Sequence, residues 1–217
     1  MLSKSLDQVT QAELEKIVEA SVPESVTLEY KAACYGSKDQ DKLELAKDVA
    51  AMANTHGGFL IIGIKEKNGQ AAELTGVQLP DPDKEIQRML NILDAHVEPK
   101  IHGVNMQPIG LEDGRWAFVL RVPRSLMRPH AVRNGEWRKW PARNSNGTYF
   151  LDVPQIRNAF LFSQTVAERM RAFRIDRIAQ LGDLPRSNEH MRLVYHILPL
   201  SAFDADAEAE VDLQVLA

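Results

Sequence analysis

Residues 54–64, NTHGGFLIIGI, are the most informative segment for the fold of this chain. The apolar run 59–64 is too short for a helix, is rich in Ile and follows a pair of glycines. These features predict a β-strand that is covered on both faces and lies at the centre of a sheet. Gly57 and Gly58 are expected to form a turn with positive φ, which ends the preceding helix at Asn54.

The position of this turn argues against a phosphate-binding loop. Glycine loops that hold phosphates open a helix, whose N-terminal amides face the anion. Here the glycines precede a strand, so we interpret the segment as a helix C-cap and a turn. His56 is interpreted as a turn residue, because no second His or Cys stands at the spacing of a metal site.

Three elements are predicted before the turn. Residues 10–20 predict an amphipathic helix, which Thr10 and Glu13 begin as a capping box. Alternating apolar and polar residues over 26–31 predict a half-buried strand. Residues 41–54 place apolar side chains on one helical stripe and predict a second helix.

Strands and helices are also predicted after the turn. Strands are expected at 74–77, 101–109 and 116–122, and the dipeptide Asn134-Gly135 predicts a hairpin over 132–143. Helices are expected at 82–95, 153–162 and 164–181, followed by a strand at 192–198. An acidic stretch and a short apolar segment end the sequence, which indicates either a truncated chain or a tail that docks onto a partner.

The composition is that of an ordinary globular protein, with 44% apolar and 26% charged residues. The longest apolar run is far below the roughly 20 residues of a membrane-spanning helix, and the N-terminus lacks a secretory apolar region. We therefore expect a cytoplasmic protein that does not enter membranes. Cys34 is the one cysteine, which excludes an intrachain disulfide and a Cys-rich zinc site.

The net charge of −4 hides an uneven distribution. Residues 114–177 carry 13 Lys and Arg against 4 Asp and Glu, whereas residues 1–113 carry 11 against 19 and residues 178–217 carry 2 against 7. Every central cation except Lys139 is an arginine, which is suited to bidentate phosphate contacts. The central block is either a phosphate-binding surface or a solvated surface that the acidic ends neutralise.

Glu24, Glu29 and Lys31 are the first candidates for chemistry. Lys31 lies two residues after Glu29 and therefore on the same strand face. Glu24 and Glu29 would point to opposite faces of a regular strand, so they converge only if Glu24 precedes the strand or a bulge lies near Ser25. The alternative is that these are ordinary solvent-facing residues, and that Glu24 and Glu66 merely flank turns.

Two segments, residues 24–31 (ESVTLEYK) and residues 53–66 (ANTHGGFLIIGIKE), resemble the Schlafen AlbA-like family. They occur in the family's order and lie about 25 residues apart. The family pattern has a Glu, four intervening residues, Glu-aromatic-Lys, a helix, Asn-Thr-x-Gly-Gly, a buried strand and an acidic residue after it. The segments 121–132 (RVPRSLMRPHAV) and 137–140 (WRKW) are similar to its continuation, so the resemblance covers roughly residues 23–160. The matching positions are Glu24, Glu29, Tyr30, Lys31, Asn54, Thr55, Gly57, Gly58, Gly63 and Glu66.

The resemblance implies an α+β domain that handles nucleic acid, with a mixed β-sheet flanked by helices. Ribonuclease members of the family bind divalent metal through three carboxylates and cut structured RNA such as tRNA. Carried over, Glu24, Glu29 and Glu66 would bind Mg²⁺ or Mn²⁺ and, with Lys31, form the catalytic site of a metal-dependent endoribonuclease. The third carboxylate is usually Asp in active members, so Glu66 favours the alternative of a non-catalytic DNA- or RNA-binding regulatory module. The intact set of Glu24, Glu29 and Lys31 favours the endoribonuclease.

Nucleic-acid contacts are expected from Lys31 and from the central basic block. Trp137 and Trp140 lie in that block, and this mixture suits phosphate contacts together with base stacking, although core aromatics on a hairpin are the alternative. The candidate contact residues are Lys31, Arg128, His130, Arg133, Arg138, Lys139 and Arg143.

We divide the chain after residue 163. Residues 1–163 are expected to form the Schlafen AlbA-like domain, and residues 164–217 a C-terminal helix, strand and acidic tail. Relatives pair two such lobes into one cradle, whereas this chain carries the signature of one lobe. The resemblance therefore predicts a homodimer, with RNA as the expected nucleic-acid partner.

Overall fold

The structure is a computed structural model that describes residues 6–182. A short 3-10 helix at Leu6–Gln8 precedes four α-helices and eleven strands in the described part of the chain. The helices are α1 (Gln11–Glu19), α2 (Asp39–Asn54), α3 (Pro82–His96) and α4 (Val153–Gly182). The strands are β1 (Leu28–Lys31), β2 (Gly58–Ile62), β3 (Ile64–Lys67), β4 (Gln70–Leu74), β5 (Val97–Glu98), β6 (Asn105–Gly110), β7 (Trp116–Val122), β8 (Ala131–Asn134), β9 (Trp137–Lys139), β10 (Pro141–Asn144) and β11 (Gly147–Phe150).

A mixed four-stranded sheet forms the centre of the fold, in the order β1-β2-β7-β6. Strand β1 is parallel to β2, whereas β7 is antiparallel to both β2 and β6. Smaller sheets pair β3 with β4, β10 with β11, and β5 with β8 and β9. This mixed sheet with its helices confirms the predicted α+β class.

Strand β2 is buried on both faces, as its apolar run predicts. Leu60 and Ile62 belong to a core that includes residues of α2 and α3, whereas Ile61 belongs to a second core that includes residues of α1. All three side chains are fully buried. The helices therefore cover the sheet from both sides, and β2 is an interior strand.

The predicted strand 59–64 is wrong at its end, because the chain leaves the central sheet at Gly63. Gly63 has a φ of 101°, which breaks the extended backbone, and Ile64 already belongs to the separate β3–β4 hairpin. A Cβ atom at position 63 would lie 3.2 Å from the Cβ of Ala117 and from the Cα of Gly76. The glycine thus permits both the bend and the close packing.

The glycine pair ends α2 as predicted. The amide of Gly57 donates to the carbonyl of Met52 (2.8 Å), and Gly57 and Gly58 have φ values of 70° and 146°. A Cβ atom on Gly57 would lie 2.5 Å from the Arg124 amide nitrogen and 2.6 Å from the Val122 carbonyl oxygen. The turn therefore needs glycine for its backbone conformation and for the close approach of β7.

The other elements follow the predictions in part. The strand predicted at 74–77 lies earlier, at Gln70–Leu74, the strand predicted at 101–109 begins only at Asn105, and the short strand β5 was not predicted. Thr10 is the N-cap of α1, and Glu13 accepts a hydrogen bond from its amide (3.1 Å). The hairpin at Asn134-Gly135 is present as β8 and β9, but α2 begins at residue 39, before its predicted start, and the second hairpin β10–β11 was not predicted.

The two helices predicted at 153–162 and 164–181 form the single helix α4. Ser163 and Thr165 do not interrupt it, because their hydroxyls donate to the carbonyls of Phe160 and Leu161 (both 2.9 Å) within the helix. This local satisfaction of the polar side chains lets the helix continue.

The chain divides into two compact units, Met1–Ile156 and Arg157–Ala217. The predicted boundary after residue 163 lies within α4 and stays a prediction. The predicted strand 192–198 and the acidic tail lie outside the described residues. Within residues 6–182, no helix combines the length and hydrophobicity that a membrane-spanning segment requires.

The turn generates a test of its close packing. We expect Gly57→Ala to lower the free energy of unfolding by about 3 kcal/mol or more, because the new methyl group must displace the β7 backbone as well as adopt a positive φ. Gly114→Ala is the matched control, since Gly114 has a similar φ of 80° but no atom within 4 Å of its added Cβ. It should cost only about 1 kcal/mol. Equal losses in urea unfolding would contradict the packing argument.

Candidate functional site

A tight turn over 25–28 brings Glu24 and Glu29 together. The amides of Ser25 and Leu28 each donate to the other residue's carbonyl (2.9 and 3.2 Å), so the chain reverses before β1. Glu24 therefore precedes the strand, and its Oε1 accepts the amide of Tyr30 (2.9 Å). Because β1 is an edge strand of the central sheet, this carboxylate satisfies an amide that no neighbouring strand pairs.

Glu66 lies in β3, one residue before its end, and is close to Glu24. Its Oε2 accepts the amide of Gly69 (2.6 Å), and the carbonyl of Gly69 accepts the amide of Glu24 (2.8 Å). Burial raises the pKa of Glu24 against the lowering effect of the Tyr30 amide, and the negative charges of Glu29 and Glu66 raise it further. The other two predicted metal ligands thus lie within electrostatic range of Glu24.

Glu29 forms two ion pairs and is largely buried. Its Oε1 lies 2.7 Å from Lys31 Nζ, and its Oε2 lies 2.7 Å from Arg143 Nη2. The exposed fraction of the side chain is 16% for Glu29 and 6% for Arg143. Burial alone would raise the pKa of Glu29, but the hydrogen bonds and charges of Lys31 and Arg143 outweigh it and lower the pKa.

Asp48 on α2 extends this network, and sequence reasoning missed it. Lys31 Nζ lies 3.4 Å from Asp48 Oδ2, which also accepts the hydroxyl of Tyr35 (2.8 Å). Burial raises the pKa of Asp48 in spite of the Lys31 charge. A signal was present, since Asp48 stands three residues after Leu45 and four before Met52, on a buried helix face.

Lys31 is held between these two carboxylates. Burial would lower the pKa of Lys31, but the charges and hydrogen bonds of Asp48 and Glu29 raise it. The ammonium is therefore charged at neutral pH, and 29% of the side chain remains exposed. It can offer its charge to an anion only at the open edge of this network.

Asn54 and Thr55 position Arg143. The Asn54 side chain donates to the carbonyls of His130 and Pro141 (both 2.8 Å) and accepts the His130 amide (2.7 Å). Thr55 Oγ1 accepts the Arg143 amide (3.0 Å). The end of α2 thus fixes the strands β8 and β10, and Arg143 reaches Glu29 and the Ser25 carbonyl (3.1 Å) from there.

The predicted carboxylate triad does not form an open metal site in this geometry. Each carboxylate accepts from a protein donor, namely the Tyr30 amide, the Lys31 and Arg143 side chains, or the Gly69 amide. Within residues 6–182, no three Asp, Glu, His or Cys side chains are grouped closely enough to hold a metal ion. The described side chains would have to rearrange to fit Mg²⁺ or Mn²⁺, so the metal stays a prediction.

The structure separates the predicted nucleic-acid contacts into buried and surface residues. His130 is fully buried, its Nδ1 lies 2.7 Å from the Pro99 carbonyl oxygen, and burial lowers its pKa. Arg143 is also buried, whereas Arg128 is partly buried. His130 and Arg143 therefore act on the fold and the carboxylate network, not on an open surface.

The hairpin β8–β9 carries the remaining predicted contacts. Arg133 donates from Nε to the Ala95 carbonyl (2.9 Å), and Arg138 Nη2 lies 3.1 Å from Glu98. Lys139 Nζ lies 5.1 Å from the ring centroid of the exposed Trp137. These three cations share one hairpin, separate from the buried network.

The sequence and the fold were compared with those of known proteins. Residues 24–151 match the family model described as Schlafen, AlbA_2. Among solved structures, the chain is similar to the DIP2311 protein from Corynebacterium diphtheriae, with 18% sequence identity and a TM-score of 0.44. That match covers 65% of this chain and 29% of the other, so it spans less than a third of the DIP2311 protein. No curated protein gives a significant match.

The Glu29 network generates a pH-dependent prediction. The pKa of Glu29 is below its ordinary value of 4.5 in the folded protein. Its charge therefore stabilises the fold above pH 4.5, and this stabilisation is lost as the pH falls through the folded-state pKa. We expect Glu29→Gln to lower the free energy of unfolding by about 3 kcal/mol at neutral pH, because Arg143 loses its buried partner.

Well below pH 4.5 the same substitution should cost much less, because protonated Glu29 is as neutral as Gln. Urea unfolding at both pH values measures the difference. Glu73→Gln, on the exposed face of β4, is the control and should change the free energy by less than about 0.5 kcal/mol. A cost for Glu29→Gln that does not vary with pH would contradict the assigned ion pairs.

Proposed function

The chain belongs to the Schlafen AlbA_2 family, whose domain indicates a nucleic-acid-related function, and we propose that it binds structured RNA through the hairpin β8–β9. One observation carries this proposal. Trp137 and Phe150 are 44% and 45% exposed, and Lys139 Nζ lies 5.1 and 4.7 Å from their ring centroids. Large exposed aromatic rings beside an ammonium suit base stacking next to a phosphate.

The register of the hairpin supports the proposal further. Arg133 and Arg138 are cross-strand partners, and Val132 pairs with Lys139. Because side chains alternate along a strand, the two arginines lie on one face while Trp137 and Lys139 lie on the other. The hairpin therefore presents a stacking face with its own cation, Lys139, and carries the two arginines on the opposite face.

A groove of about 330 Å³ lies between this stacking face and α2. Asp39 and Glu44 line its α2 wall, which on their own would repel phosphates. Each carboxylate is paired with a lysine, Lys42 Nζ at 2.9 Å and Lys47 Nζ at 2.7 Å. The wall is thereby neutralised, and the groove can accept an uncharged base while the phosphates stay at the hairpin cations.

A metal-dependent endoribonuclease is the second candidate. The observation in its favour is the electrostatic proximity of Glu24, Glu29 and Glu66, which a bound cation would relieve. Mg²⁺ or Mn²⁺ would supply Lewis acidity, and the Lys31 ammonium would offer charge to a phosphate oxygen. RNA binding is the preferred proposal, because each carboxylate already has a protein donor.

The hairpin proposal predicts a loss of RNA affinity in Trp137→Ala. We expect a transfer RNA to bind about tenfold more weakly, because one stacking surface is lost, and the binding of the parent protein to weaken as salt is raised. Fluorescence anisotropy measures both effects. Phe160→Ala, which removes a similarly exposed ring from α4, is the control and should leave the affinity unchanged.

Equal effects of the two variants would remove the hairpin as the RNA site. Light scattering of the same samples tests the proposed homodimer, which should give twice the mass of one chain.

The catalytic candidate makes a separate prediction at Glu66. Glu66→Asp introduces the residue usual in active members and should increase cleavage of transfer RNA in the presence of Mn²⁺, whereas Glu66→Gln and EDTA should abolish it. Gel electrophoresis of the products measures the rate. Glu73→Gln on β4 is the control and should cleave as the parent protein does. Binding of RNA without cleavage in every sample would leave the binding proposal and reject the nuclease.

A further inference from the structure

A second cleft opens at the edge of the sheet where β1 and β2 begin and β7 ends. Its volume is about 520 Å³, which is within the range of small-ligand sites. Its wall contains two arginines and a histidine but no Asp or Glu, in a chain whose net charge is −4. The residues that line it include Ile17, Leu28, His56, Phe59, Arg121 and Arg124.

The floor of this cleft is apolar and follows from the strand register. Leu28 pairs with Phe59, and Phe59 pairs with Arg121, so the three residues form one row across β1, β2 and β7. Cross-strand partners project from the same face of a sheet. Leu28 and Phe59 belong to the core that contains Ile17 of α1, and Phe59 is only partly buried. An aromatic ring therefore lies beside an exposed guanidinium at the opening.

The guanidinium of Arg121 is open to a ligand. Within residues 6–182, the side chains of Arg121 and His56 make no hydrogen bond or ion pair with a described residue. Arg138 and Arg143, in contrast, each pair with a glutamate. An anion would therefore gain the charge of Arg121 without breaking an existing ion pair among these residues.

We propose that the cleft binds one nucleotide, with its phosphate on Arg121 and Arg124 and its base on the floor of Phe59, Leu28 and Ile17. A free phosphate would use the cations but leave the apolar floor unused, whereas a nucleotide matches both halves of the site. Arginine side chains would hold the phosphate in this cleft. The site therefore differs from a glycine loop, which holds phosphate with the amides of a helix N-terminus.

The cleft is connected to the carboxylate network through the turn over 25–28. Ser25 lines the cleft, and its carbonyl accepts the Arg143 side chain that pairs with Glu29. A nucleotide held here therefore lies beside the wall of the Glu29 network. This inference rests on the proposed function in one respect, since an RNA strand is one of two possible sources of the nucleotide.

The test is calorimetric titration of the full chain with AMP, inorganic phosphate and a short single-stranded RNA. We expect AMP to bind and Arg121→Gln to weaken its binding about tenfold, because a charged hydrogen bond to phosphate is lost. Arg115→Gln is the matched control. It also removes one arginine of the same strand region, but at the opposite end of β7, roughly 20 Å away, and should change AMP affinity less than about twofold.

Phe59→Leu supplies a second variant, which keeps the charge and the apolar core but removes the ring. It should weaken AMP more than inorganic phosphate, and thermal unfolding of each variant checks that the fold is intact. No binding of AMP, equal effects of Arg121→Gln and Arg115→Gln, or competition by phosphate as strong as by AMP would each overturn the proposal.

The same proteins separate this inference from the proposed function. Transfer RNA binding that depends on Trp137, without AMP binding, leaves the hairpin proposal and rejects the cleft. AMP binding without transfer RNA binding supports the cleft and rejects the hairpin proposal. If AMP and the short RNA compete, the natural ligand of the cleft is a nucleotide of an RNA strand. If they do not compete, the ligand is a free mononucleotide. In both cases Arg121→Gln must weaken AMP binding.

Discussion

Arg143 reaches from β10 to the edge strand β1 and places its guanidinium 2.7 Å from the Glu29 carboxylate. Both side chains are largely buried, so neither charge is stabilised by water, and each depends on the other. Removing Glu29 would leave the buried charge of Arg143 without its carboxylate partner, whereas Glu29 also pairs with Lys31. The pair links β10 to the edge strand β1, and Arg143 also donates to the Ser25 carbonyl in the turn over 25–28.

The segment 54–58 positions Arg143 for its ion pair with Glu29. Its first two residues act through their side chains, and its glycines act through their backbone conformation. Asn54 and Thr55 use their side chains to hold the backbones of β8 and β10. Gly57 and Gly58 supply the backbone conformation that returns the chain into β2. One short segment thus joins the central strand to the hairpins that carry Arg143, which is why it identifies the fold and also shapes the site.

The basic block 114–177 has more than one role. Arg143 is buried as a structural ion pair, Arg138 is paired with Glu98 on the surface, and Arg121 opens into the cleft beside Phe59. A count of charged residues over 114–177 gives each of these arginines the same weight. Their capacity to bind phosphate differs, because an arginine that already neutralises a carboxylate has less to gain from a further anion.

Features that rest on neighbouring residues could be predicted from the order of the amino acids. The buried strand β2, the capping box of α1 and the turns at Gly57 and Asn134 follow from apolar periodicity and local backbone preferences, which act within a few residues. The family and the α+β class follow from motifs of the same local kind.

Which charged groups meet depends on how distant segments pack in the folded chain. Asp48 joins Lys31 across 17 positions, and Arg143 joins Glu29 across 114 positions. The bend at Gly63 likewise depends on the approach of Ala117 from another strand. Such pairings carry no local pattern, because their energy comes from desolvation and charge in an interior that exists only after the sheet, α2 and the hairpins have packed.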